Sequence, residues 1–283
     1  MELGVKKSRQ LGHVALYLVL SVMTAVYIFP LFWMVSTSLK TLPQIAQFPP
    51  LWLPSSPIWK NYPAALTFLP FALFFRNTLI IAVFYITGNL ISATFIAYGF
   101  ARMRFPGREI LFIILVSTMM IPMIVRLIPL FLIFKRLGWI NTFYPLIVPE
   151  FFGNPFFIFL VRQFYRTIPM DISDAARLDG CSELGIWWKI MIPLSKPVLA
   201  AVVIFAFQRV WNDFLAPLIY LNKTEMKTLS LGLQAFTGGT GEAVQLYNLL
   251  MAACTTFVFP MIVLFLLAQK YFIRGIVVTG MKG

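Results

Sequence analysis

Six stretches of this chain are each long and apolar enough to cross a lipid bilayer, and that pattern fixes the fold class before any motif is considered. They lie near residues 13–38, 72–100, 110–134, 141–161, 198–221 and 249–270. A spanning helix needs about 20 mostly apolar residues, and in lipid a helix satisfies its own backbone hydrogen bonds. The composition agrees: 60% of the 283 residues are hydrophobic and 12% charged, with a mean hydropathy of +0.84. The expectation is an all-α membrane protein, one transmembrane domain over 1–283, with six transmembrane helices.

The net charge of +13 is spread over segments that border the apolar runs. It makes no basic stripe interleaved with aromatic residues, which argues against a nucleic-acid surface. Topology explains it better. With the amino end inside, the inner loops hold Lys6, Lys7, Arg9, Arg102, Arg104, Arg108, Arg162, Arg166, Arg177, Lys189, Lys196, Lys270, Arg274 and Lys282. The outer ones hold only Lys40, Lys60, Arg76, Lys135, Arg136, Lys223 and Lys227. The positive-inside rule therefore predicts cytoplasmic termini. The first apolar run, Val14 to Val35, is too long for a secretory signal core and reads as a retained helix. His13 is the sole histidine, and Cys181 and Cys254 have no metal-ligand spacing.

One polar island interrupts the apolar pattern, at about 163–197. It contains Asp174, Ala175, Ala176, Arg177, Leu178, Asp179 and Gly180, followed by Pro193 and Pro197. The small alanines let another surface approach a helix backbone closely. Asp179-Gly180 supplies a positive-φ turn, and the prolines mark the approach to the next span. A cytoplasmic helix-turn-helix of this kind suits gripping by a partner.

The run Asp174 to Gly180 with Ile192-Pro193-Leu194 resembles the membrane subunits of binding-protein-dependent ABC importers, especially the carbohydrate class. Asn61-Tyr62, Arg76-Asn77-Thr78, Phe105-Pro106-Gly107, Ile128-Pro129-Leu130, Trp211-Asn212-Asp213-Phe214 with Pro217-Leu218, and the closing Met281-Lys282-Gly283 extend the match over nearly the whole chain. The family pattern usually begins Glu-Ala-Ala; here Asp174 brings a shorter carboxylate. The resemblance implies the type I permease fold, with Asp174, Ala175, Ala176, Asp179, Gly180 and Pro193 in a coupling helix and turn. It implies a permease dimer, homodimeric or with a second permease subunit in a heterodimer, two ATPase subunits that hold ATP and Mg, an extracytoplasmic substrate-binding protein and a bacterial inner-membrane location. It implies no catalytic residue, metal or cofactor on this chain. In keeping with that, the sequence contains no Gly-x-x-x-x-Gly-Lys-[Ser/Thr] phosphate loop. The tail residues Lys282 and Gly283 would reach between the ATPases, or simply fray.

Ionisable residues at membrane depth face a bundle interior or an aqueous cavity. Arg209 and Asp213 stand four apart in the fifth span and so can pair on one helix face, with Gln208 and Asn212 beside them. Arg126 lies in the third span, within conceivable reach of Glu150 at the fourth. These groups either hold helices together or line a passage for sugar hydroxyls. Deep arginines also suit an anionic sugar or a glycerol phosphate, and polar residues in spans equally serve ion-coupled secondary transporters. The outer Gly238-Gly239-Thr240-Gly241 stretch reads as a mobile loop or as a contact for the binding protein.

Overall fold

The computed structural model describes residues 2–236 and 246–280. Among the described residues every regular element is helical: α1 (Glu2–Ser38), α2 (Leu42–Ala46), α3 (Asn61–Phe68), α4 (Phe71–Arg102), α5 (Arg108–Ser117), α6 (Met123–Arg136), α7 (Tyr144–Ile147), α8 (Pro155–Thr167), α9 (Met170–Leu178), α10 (Glu183–Ile186), α11 (Ile192–Leu194), α12 (Lys196–Asn212), α13 (Leu215–Tyr220), α14 (Leu229–Leu233) and α15 (Tyr247–Gly280), with short 3-10 and π turns between some of them. The chain forms two compact units. One comprises the residues up to Pro70 with Leu233–Phe259, the other Phe71–Gly232 with the chain from Pro260.

Four stretches are long and apolar enough to cross a membrane: Gly12–Ser38, Phe71–Arg102, Tyr144–Thr167 and Tyr247–Leu267. Two more qualify only as bent pairs, Arg108–Met120 with Met123–Arg136 at 98° and Glu183–Leu194 with Lys196–Asn212 at 79°, which bring the number to six. The straight span expected at 110–134 is thus broken inside, whereas the bend beside the one expected at 198–221 falls before it, at Ser195, and α12 ends within it at Asn212; the causes of both bends are local. Ile121 is extended (φ −76°, ψ 114°) before Pro122, as the crowding of a residue by a following proline requires. Ser195 leaves helical geometry (φ −95°, ψ 7°), and Pro197 stands in the first turn of α12, where its missing N–H costs nothing.

In the larger unit α4 is the central helix, packed against α8, α12 and the 3-10 turn Val148–Phe152. Its buried stripe repeats at helical spacing through Asn77, Ile81, Tyr85, Asn89, Ser92 and Ala93, Ala97, Tyr98 and Arg102. The opposite face carries exposed Val83, Phe84, Ile91 and Phe95. Small and polar groups inside with large apolar groups outside is the pattern of a helix whose surroundings are lipid. Gly88 shows how close the packing is, since a Cβ there would stand 2.8 Å from the Phe151 ring. Beside it Asn89 Nδ2 donates to Glu150 Oε2 (2.9 Å) and Ser92 Oγ to the Glu150 carbonyl (2.8 Å).

In the smaller unit, the end of α1 is clasped by the segment that follows it. Asn61 Nδ2 donates to the carbonyls of Ser38 (2.8 Å) and Lys40 (3.1 Å), and the Ser38 and Tyr62 hydroxyls stand 2.9 Å apart. Lys40 is only 2% exposed. Its ammonium donates to the Leu51 carbonyl (2.6 Å) and lies 4.4 Å from the centroid of the Trp33 ring.

Candidate functional site

The polar island folds as a helix, a tight turn and a second helix. α9 starts at Met170, directly after Pro169, and presents two faces. Ser173 and Ala176 are buried, whereas Asp174, Ala175 and Leu178 are exposed, Leu178 to 90%. A threefold-to-fourfold spacing of buried positions over nine residues is what an amphipathic surface helix requires. The smallness of Ala176 therefore serves packing within the chain, while Ala175 remains open to a partner.

The turn is closed by glycine. Gly180 adopts φ +78°, the left-handed conformation that side chains with a Cβ resist. With it come the two hydrogen bonds of a left-handed helix cap: Cys181 N–H to the Ala176 carbonyl (2.9 Å) and Gly180 N–H to the Arg177 carbonyl (3.0 Å). Asp179 sits at the cap position and its N–H donates to the Ala175 carbonyl (3.0 Å). Ser182 then caps α10, its hydroxyl accepting the Gly185 N–H (3.2 Å). Thus the backbone donors and acceptors freed by two helix ends meeting at an angle find partners locally.

Side chains latch the two halves. Arg177 reaches across the turn to Glu183, Nε to Oε1 at 2.7 Å and Nη2 to Oε2 at 3.3 Å, and its Nη1 pairs with Asp174 at 2.6 Å. The Glu183 carboxylate, with Asp174 behind it, holds the Arg177 guanidinium protonated well above its ordinary range. The Tyr98 hydroxyl of α4 donates to Glu183 Oε2. Pro193, in α11, is exposed next to the Ser195 bend.

The polar residues expected in the spans are placed differently. Arg209 and Asp213 make no ion pair within 4.0 Å among the described residues, because α12 ends at Asn212 and Asp213 is extended (φ −70°, ψ 116°). Leaving the helix takes Asp213 off the face that an i,i+4 pair needs. Its Oδ1 instead accepts the Ala216 N–H (3.3 Å), at the start of α13, and its carbonyl accepts from Ser230. Both residues nevertheless line one small cavity with Tyr85 and Thr228. Gln208 and Asn212 are exposed, and Asn212 Nδ2 bonds back to the Gln208 carbonyl (2.8 Å). Arg126 is exposed on α6 and forms no ion pair among the described residues. Glu150 takes amide partners in its place, Asn89 and Asn154. Lys282, Gly283 and Gly238–Gly241 lie outside the described residues.

Sequence reasoning missed Tyr98, Arg102 and Glu183. Arg102 is 3% exposed and directs Nη2 to the carbonyls of Tyr165 and Ile168, both at 2.7 Å, just before α9. The available signal was a charge closing an apolar span four residues after a tyrosine. The Asn77-Thr78 motif also gains a role: Asn77 Nδ2 holds the Glu225 and Lys227 carbonyls, and Thr78 Oγ1 accepts the Leu229 N–H.

Residues 89–278, which include the whole latch, match the family of binding-protein-dependent transport system inner membrane components. The chain belongs to this family. Among its relatives, the arabinooligosaccharides transport system permease protein AraQ of Bacillus subtilis (strain 168) is 35% identical over 279 residues, covering 96% of each chain. The sn-glycerol-3-phosphate transport system permease protein UgpE of Yersinia enterocolitica is 30% identical over 240 residues, 83% of this chain and 85% of that one. A solved bacterial ABC transporter involved in the import of the acidic polysaccharide alginate superposes with a TM-score of 0.82 at 25% identity, over 94% of this chain and 98% of that one. This inner membrane component is accordingly an all-α permease of the ABC importer type, a transporter subunit and not a catalyst. Carriers driven by ion gradients are thereby set aside.

Proposed function

We propose that this permease subunit imports a carbohydrate, an oligosaccharide or related sugar, across a bacterial cytoplasmic membrane by alternating access. In this reading α9 docks in a cleft of one of two separate ATPase subunits, which hold ATP and Mg. A second permease subunit completes the passage in a heterodimer, and an extracytoplasmic binding protein delivers the sugar. Both termini and the Gly180 turn are cytoplasmic, in keeping with the charge distribution. The carrying observation is the local construction of α9: an exposed Leu178 and Ala175 on a helix whose end is fixed by Gly180 and braced by Arg177 and Glu183. Movement of an ATPase can favour one packing of the membrane helices over another only through such a stiff attachment.

The test has two arms. A single cysteine at Leu178 should react with a membrane-impermeant maleimide in inside-out vesicles and stay unlabelled in intact cells; the reverse pattern sinks the assignment. Reconstituted with its partners, the complex should take up labelled arabinotriose or galactobiose only when ATP is supplied on the α9 side.

A second reading, an anionic sugar or a glycerol phosphate, has its own support. Arg126 and Arg209 are exposed and carry no carboxylate partner within 4.0 Å among the described residues, and relatives include the glycerol-phosphate and alginate systems. Arg126→Gln and Arg209→Gln should then depress uptake of acidic substrates selectively. Unchanged discrimination removes this reading.

A further inference from the structure

We propose that Tyr98 and Arg102, one turn apart near the end of α4, are positioning residues that grip α9 from both ends and make α4 the member through which its movement enters the membrane helices. The inference rests on the reading of α9 as the ATPase-docking helix. On the approach to α9, Arg102 Nη2 donates to the Tyr165 and Ile168 carbonyls (2.7 Å each) and Nη1 to the Pro169 carbonyl (3.4 Å). On the exit, Tyr98 donates to the same Glu183 carboxylate that braces Arg177. Both residues are 3% exposed, and their i,i+4 spacing puts them on one face of α4.

The grip answers two physical needs. Between α8 and α9 lie only Ile168 and Pro169, a short link about which α9 would swivel if nothing held it. Arg102 removes that freedom by tying the link to α4. Its charge has no carboxylate partner within 4.0 Å among the described residues; it is met by carbonyls at the C-terminal end of α8, where the helix dipole is negative. Glu183 links the two elements, accepting from the α9 guanidinium on one side and the α4 hydroxyl on the other. Because α4 also packs against α8 and α12, displacement of α9 is delivered to three long helices together. Without the grip, the same displacement would be spent in bending the link.

The experiment uses the full complex, with partner permease, ATPase subunits and binding protein, in proteoliposomes. Cys181 and Cys254 are replaced by alanine, and Asn212→Cys on α12 reports by its rate of maleimide labelling with and without MgATP and vanadate. Phosphate release is followed in parallel. In the parent complex the nucleotide should change the labelling rate. Tyr98→Phe, which deletes one oxygen and keeps the ring, should keep hydrolysis but shrink that change about tenfold, the effect of losing a hydrogen bond to a charged group. Arg102→Lys should act the same way, and if it does not assemble, Tyr98→Phe decides alone. Glu183→Gln keeps an acceptor for Tyr98 and should retain more of the response than Glu183→Ala. If the variants respond as the parent does, or lose hydrolysis and response in equal proportion, the grip is refuted and the docking role of α9 stands. If the parent complex itself fails to respond, the docking role falls.

Discussion

Arg177 and Glu183 face each other across the Gly180 turn with the guanidinium fork spanning both carboxylate oxygens, at 2.7 and 3.3 Å. This two-pronged contact fixes the angle between α9 and α10 as a single hydrogen bond cannot, because a planar fork on a planar carboxylate resists rotation. Replacement by lysine keeps the charge and loses the plane. Arg177→Lys should therefore reduce transport several-fold more than it reduces thermal stability, for which a loss of about 1 kcal/mol is expected at this partly exposed site. Uptake and unfolding measured on the same preparation check it; equal losses in both would count against an angular role.

Gly180→Val should leave membrane insertion intact while weakening ATPase attachment. The φ of +78° costs a residue with a Cβ about 1–2 kcal/mol, and a β-branched one more. Nothing around it crowds the position, since a Cβ there would meet no atom of the surroundings within 4 Å, so the penalty comes from the local backbone conformation and not from neighbouring elements. Co-purification of the ATPase subunits measures the effect, and normal recovery with normal transport refutes the turn's role.

Arg209 and Asp213 should be coupled only weakly. With the helix ended between them and no ion pair formed, yet both lining one cavity, a double-mutant cycle of Arg209→Gln and Asp213→Asn should give a coupling of about 0.5 kcal/mol, the low end for residues that share a cavity. Thermal unfolding in detergent supplies the four values. A coupling of several times that size would restore the ion pair expected from spacing alone.

Lys40 gives the smaller unit a pH dependence at the alkaline end. It stands just past the Gly12–Ser38 span, and burial lowers its pKa below the ordinary 10.5. Between the lowered value and 10.5 the unfolded chain binds the proton more fully than the folded one, so stability rises with pH across that window. Hydrogen exchange of the 36–62 backbone should slow on going from neutral to alkaline pH, after correction for intrinsic exchange. Lys40→Met, which keeps the stem against Trp33, should abolish the trend.

Much of this architecture is legible in the sequence because lipid permits few solutions. Apolar length located the four unbroken stretches to within several residues, and Asp179-Gly180 marked its turn because few other pairs suit a positive φ. The breaks escaped notice for a related reason: hydropathy is blind to direction, so Ile121-Pro122 and the end of α12 at Asn212 pass unseen inside apolar runs. The Arg209–Asp213 spacing misled because it assumed a helix continuing past Asn212. Arg102 was hidden because its partners are mostly backbone carbonyls more than sixty residues away, which have no signature in a sequence, and Tyr98 because the carboxylate it meets, Glu183, lies 85 residues on.

The absent side chain of Gly88 has a mechanical consequence. Phe151 fills the space where a methyl group would be, and the amide and hydroxyl of Asn89 and Ser92 bind Glu150 on the same face. Helix and turn are thereby keyed together like cog and rack with no clearance, and neither can slip past the other. When the machine cycles they must travel as one casting, and the seam that parts to admit cargo has to run elsewhere.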